Sequence, residues 1–164
     1  MGDIMAETST NTDDLKDALM FWVGDEHAVQ WLMDVDAVFQ FFDDIIDDDK
    51  ERIQDDQVID ILFRAVVDMP FNPFFNQYPK ILLLALRNAI VNYHTSVNYE
   101  HRGSPADLEM SFVLRQDYLN VVKTVVELVR GRGVMLDMTV NISQHGLKTE
   151  SMEKYKEKII RRNS

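Results

Sequence analysis

The stretch on which the fold turns is Trp31-Leu32-Met33-Asp34-Val35-Asp36-Ala37-Val38-Phe39-Gln40-Phe41-Phe42-Asp43-Asp44-Ile45-Ile46. Its apolar residues Trp31, Leu32, Val35, Val38, Phe39, Phe42, Ile45 and Ile46 recur at intervals of three and four. That spacing lines up on one face at about 100° per residue, the period of an α-helix, and does not alternate as a strand would. The spacing predicts a helix from Glu26 to Asp48 with this stripe in the core.

The same pattern extends outward in both directions. Toward the N-terminus, a helix over 13–23 is expected, with Thr12 as N-cap, acids Asp13, Asp14 and Asp17 at its positive end and Gly24 closing it. Residues 1–12 have no apolar period and are expected to be a flexible tail. Toward the C-terminus, Val58, Ile61, Leu62, Ala65 and Val66 predict a core-packed helix over 55–69. The prolines of Pro70 to Pro79 predict a rigid loop. A helix over 80–101 opens with the all-round apolar Ile81 to Leu86, which suggests a central helix surrounded by others. Ser104 as N-cap, Pro105 at the first helical position and Asp107 begin a long helix expected to run to Arg130. Val134 to His145 would suit a strand or a helix and is taken as helix. Thr149 then caps a short basic helix over 150–162, with Met152, Tyr155, Ile159 and Ile160 on one side. The expected architecture is an all-α, single-domain bundle of about five to seven helices over 13–145, with a basic C-terminal helix over 146–164.

The 164 residues suffice for one ordinary core, and 46% hydrophobic content lies far from disordered compositions. Net charge is −11, unevenly spread: residues 1–68 hold 19 acids against 4 Lys/Arg, and residues 69–164 hold 9 against 13. This argues against general nucleic-acid binding, which needs clustered positive charge to displace counterions from phosphates. With no cysteine, disulfides, thiolate metal sites and cysteine nucleophiles are excluded. No apolar run approaches the ~20 residues of a membrane span, so a soluble, cytoplasmic protein is expected. A homo-oligomer is compatible with all of this.

Two polar constellations stand out against the helical background. Asp36, Gln40, Asp43 and Asp47 share one stripe of the second helix, with Asp44 at its edge. Carboxylates this close repel one another, and hard divalent cations such as Mg²⁺ relieve that repulsion with oxygen ligands. A solvated acidic face would read the same way. In the fourth helix Asn88, Asn92, Ser96 and Glu100 form a polar ridge at i, i+4 spacing where the apolar pattern predicts core. Such groups need partners if buried, either packing neighbours or a bound ion.

Asp43-Asp44-Ile45-Ile46-Asp47, preceded by Phe41-Phe42 and followed by Arg52, resembles the aspartate-rich DDxxD motif of class I isoprenoid synthases. Asn92, Ser96 and Glu100 resemble the second, NxxxSxxxE metal motif of that family. The resemblance covers residues 39–102. It implies a Mg²⁺-dependent protein that binds a prenyl diphosphate and ionises it, a transferase or lyase, with Asp43, Asp44 and Asp47 on one side of the metal cluster. Asn92, Ser96 and Glu100 would hold the remaining ion. Arg52, Arg87, Arg102 and Arg115 are the candidate diphosphate contacts, arginine being suited to bidentate phosphate binding. Phe39, Phe42, Tyr93 and Tyr99 are candidate pocket residues for the isoprenoid tail. Short loops would place both motifs at one end of the bundle.

Two other readings stand beside this one. An all-α nucleotide pyrophosphohydrolase would gather carboxylates such as Glu51, Asp55, Asp56 and Asp60 around Mg²⁺. A non-catalytic interaction or assembly protein, viral assemblies included, would use the acidic half and the basic C-terminal helix to dock onto partner chains. The histidines His27, His94, His101 and His145 form no HExxH pair, and neither a phosphate-cradling glycine loop nor a GxSxG elbow is present.

Overall fold

The computed structural model describes residues 3–47 and 53–164, with side chains described over 12–47, 53–146 and 150–164. The protein is all-α, 90% helical, and among the described residues there is no strand. Eight helices of nine residues or more appear where five to seven were expected. Chain contacts divide into two compact units, residues 1–77 and 78–164, where one bundle was expected over 13–145. Among the described residues no helix is long and apolar enough to cross a membrane.

In the first unit α1 (Asp3–Val23) begins ahead of the expected Asp13 and turns at Gly24, whose φ of 73° suits glycine. Asp25 then caps α2 (Glu26–Ile46), its carboxylate accepting from the Ala28 N–H at 2.8 Å. Only the first part of the quoted stripe forms the core: Trp31, Leu32, Val35 and Phe39 are buried, with Leu19, Trp22 and Val23 of α1, whereas Val38, Phe42 and Ile46 are half-buried and Ile45 is exposed toward the end of the helix. α3 (Asp55–Phe63) follows and passes into a π-helical segment, Arg64–Asp68. The predicted rigid loop instead holds two single turns of helix, α4 (Met69–Phe71) and α5 (Pro73–Gln77). Asn72 explains why: its side-chain oxygen accepts from the N–H groups of Phe74 and Phe75, and its amide donates to the carbonyl of His27. Phe75 stacks on Trp31 with centroids 6.1 Å apart.

In the second unit α6 (Pro79–Arg102) ends at Gly103 (φ 74°), and Ser104 caps α7 (Pro105–Arg115) through the Asp107 N–H, both as expected. α6 is not enclosed all round: Leu82, Ala89 and Tyr93 are buried, whereas Ile81, Leu83 and Leu84 are exposed. The single long helix expected up to Arg130 breaks at Gln116 and Asp117, whose N–H groups bond three residues back to Val113 and Leu114. α8 (Tyr118–Arg130) then packs Leu119, Val121, Val122, Val125 and Val126 inward, and α9 (Arg132–Thr149) contributes the buried Ile142. α9 settles the ambiguous segment as helix. Gly146 lets α9 come close to the α7–α8 junction: a Cβ there would meet the ends of the Gln116 and Leu119 side chains, which would have to move aside. α10 (Met152–Asn163) is capped by Ser151, not Thr149, and packs Tyr155 and Ile159 against Leu108 and Phe112 of α7.

Candidate functional site

Of the sequence-predicted residues, Glu100 has the most closely built surroundings. It lies in the last turn of α6 with no exposed surface. A carboxylate there meets both a desolvation cost and the negative end of the helix dipole. Both are answered within the second unit. Arg115 at the end of α7 brings its Nε to 2.8 Å from Oε1, and Arg162 of α10 donates to Oε2 at 2.6 Å. The Tyr155 hydroxyl donates a short hydrogen bond to Oε1, and the Ser111 hydroxyl lies 3.4 Å from the same oxygen. Burial and the hydrogen bond to Glu100 push the Tyr155 phenol well above its ordinary range. The Arg115 guanidinium also sits over the rings of Tyr93 and Tyr155, at 5.3 and 5.7 Å from their centroids.

These contacts bear directly on the metal reading. Both Glu100 oxygens face arginine guanidinium groups, so a divalent cation there would meet positive charge at close range. Ser96 is also fully buried, and its hydroxyl donates to the Tyr93 carbonyl at 2.6 Å. Ser96 and Glu100 therefore do not fit Mg²⁺ in this arrangement. Asn92 lies elsewhere, in an open groove of about 310 Å³ between α6 and α8 with Asn88, Asp117, Asn120 and Thr124. Among the described residues no group of three or more His, Asp or Glu is arranged to hold a metal ion.

The aspartate motif belongs to the first unit. Asp43 and Asp44 are half-buried in the last turn of α2, and Asp47 is its C-cap, its N–H bonded to the Asp43 carbonyl at 2.8 Å. One stripe-mate, Asp36, has its pKa raised to about 6, first by burial and then by the nearby Asp43 charge, against a hydrogen bond from Gln40. Its folded pKa lies above the unfolded value of 3.8, so the folded chain holds this proton more tightly. The stabilisation is present below pH ~4 and is lost as pH rises through ~6. Asp36→Asn is accordingly expected to stabilise the protein by on the order of 2 kcal/mol at pH 7 and by almost nothing at pH 4. Thermal unfolding at the two pH values checks this, and equal shifts at both would refute it.

The remaining predicted residues disperse. Phe39 is buried and Phe42 half-buried, edge-on to one another at 6.1 Å within the core of α2. Tyr93 is buried under Arg115, and Tyr99 is half-buried with Arg102 over its ring at 5.4 Å. Arg102 is mostly exposed and 3.4 Å from Asp107; Arg87 is exposed and bonds to the neighbouring Asn88 side chain. Arg52 and Glu51 lie outside the described residues. Asp55 and Asp56 are exposed at the start of α3, and Asp60 is bonded to Arg64 at 2.8 Å.

Sequence reasoning did not single out two features. Arg64, at the head of the π-helical segment, bridges Asp60 and the buried Asp34 of α2, 3.2 Å away. Burial raises the Asp34 pKa, against the Gln30 hydrogen bond and the Arg64 charge. These residues line an open cleft of about 460 Å³ with Asp68, Phe71 and Asn72. More unusual is α3 itself. Neither α3 nor the π-helical segment that continues it has a buried residue, and Ile59 (65%), Leu62 (58%) and Phe63 (57%) of α3 are exposed together with Val66 (68%) of that segment. Their spacing of i, i+3, i+4 and i+7 puts them on one face, with Val58, Ile61 and Ala65 half-buried on the other side.

No protein-family model, curated protein or solved structure matches this chain.

Proposed function

We propose that this chain is a non-catalytic interaction protein that docks onto a partner through the outer face of α3. The observation that carries this reading is the alignment of Ile59, Leu62, Phe63 and Val66 on an exposed helical stripe. Single exposed apolar residues are ordinary on any surface, but an ordered stripe of four marks a binding face. Each side chain taken fully out of water contributes about 1.5–3 kcal/mol, so even partial coverage of four supports a specific contact. The Arg64 bridge to Asp34 and Asp60 fixes the helix that presents them. A photo-crosslinking residue at position 62, in the cells that make the protein, is expected to give a discrete adduct. The adduct should vanish when Phe63 and Val66 are changed to serine. A smear indistinguishable from that of a crosslinker at exposed Lys158 would sink the reading.

A Mg²⁺-dependent diphosphate-binding reading of Asp43, Asp44 and Asp47 draws on the repulsion that Asp43 exerts on Asp36. Its test is the unfolding midpoint with Mg²⁺ and a prenyl diphosphate, which a ligand of the folded state raises by mass action.

A further inference from the structure

We infer that the partner bound by the α3 face is a basic amphipathic helix of another protein, an inference that rests on the docking reading above. The shape of the site selects a helix. Ile59 to Val66 spans two turns, roughly 10 Å of rise, and presents ridges of side chains of the kind that pack into the grooves of a second helix. The charge around it selects a basic one. Asp55 and Asp56 stand exposed one turn ahead of Ile59, and Asp60 flanks the stripe. The first 77 residues carry 19 acids against 4 Lys/Arg, and Arg64 is already engaged by Asp60 and Asp34. Lysines and arginines bordering an apolar partner stripe would lay their stems over Leu62 and Phe63 and bring their charges to this acidic rim.

The same field weighs against other occupants. A second copy docking by this face would bring Asp55, Asp56 and Asp60 against their own kind, and an anionic lipid surface would be repelled. The chain's own basic helix, α10, already spends its apolar side on Leu108 and Phe112.

The test is fluorescence anisotropy with the full chain and two labelled helical peptides of about 20 residues, with leucines at i, i+3, i+4 and i+7 and either lysine or glutamate elsewhere. The lysine peptide is expected to bind, more weakly as salt rises. Changing Leu62 and Phe63 together to serine should weaken it about 30-fold, as for central residues of an interface. Asp55→Asn with Asp56→Asn should weaken it about 10-fold. Circular dichroism of each variant reports that it has folded; the substituted positions are all exposed. Equal binding of the two peptides, or no effect of the two asparagines, overturns the basic-partner inference and leaves docking at α3 intact. Lysine-peptide binding that ignores the serine pair is charge attraction alone and also overturns it. If neither peptide binds but the chain sediments as a dimer that Leu62→Ser dissolves, the occupant is a second copy and the inference is wrong. If no peptide binds, no dimer forms and position 62 yields no adduct, inference and docking reading fall together.

Discussion

Glu100→Ala is expected to lower the unfolding free energy by about 3–5 kcal/mol, because it strips the carboxylate from two arginines placed around it. Against a typical total of about 5–15 kcal/mol, that is a large fraction. The wild-type carboxylate is fully buried and held by Arg115, Arg162 and Tyr155. After the substitution Arg115, only 11% exposed, keeps its charge without the group that balances it. Glu100→Gln should be intermediate: its amide oxygen still accepts from Tyr155, while the ion pairs are gone. Denaturant unfolding of the three proteins measures the order. A carboxylate kept for a cation behaves oppositely, since its removal relieves repulsion; an unchanged or raised midpoint for Glu100→Ala would therefore count against the clasp and for the metal reading.

Trp31→Ala is the second large effect, about 3–5 kcal/mol, the usual result of deleting a fully buried aromatic ring. Trp31 has no exposed surface and carries Phe75 stacked on its ring, so its loss opens a cavity and unseats α5 together. Trp31→Phe should cost far less than alanine. The indole N–H has no hydrogen-bond partner among the described residues, so phenylalanine removes a desolvated donor along with some packing area. The remaining Trp22 reports unfolding by fluorescence in both variants. Equal losses for phenylalanine and alanine would contradict the assignment of the ring's role to packing.

The helices were legible where local chemistry speaks for itself. The three-and-four spacing of α2, the Gly24 turn and the Gly103-Ser104-Pro105 boundary all follow from residues within a few positions of each other. The break at Gln116 and Asp117 was not legible, because neither glycine nor proline marks it and both residues are ordinary inside helices. Ser96 and Glu100 stood out correctly as polar groups on a buried face. Their partners did not, since Tyr155 and Arg162 lie 55 and 62 residues further on and no local spacing connects them. The α3 stripe misled in the other direction: Leu62 and Val66 have the period of core residues and are exposed, and periodicity alone cannot tell a face turned to the core from one turned away from it.

The clasp around Glu100 also sets an order of events on the ribosome. α6 leaves the exit tunnel well before α10, so the nascent chain carries this acid without Arg162 and without the Asn163 amide that donates to the Glu100 carbonyl. Until those late-arriving groups dock, enclosing the acid is unfavourable, and the end of α6 is best left wet. α10 thus acts as a latch on the end of α6, since it carries the Arg162 and Asn163 groups that engage Glu100.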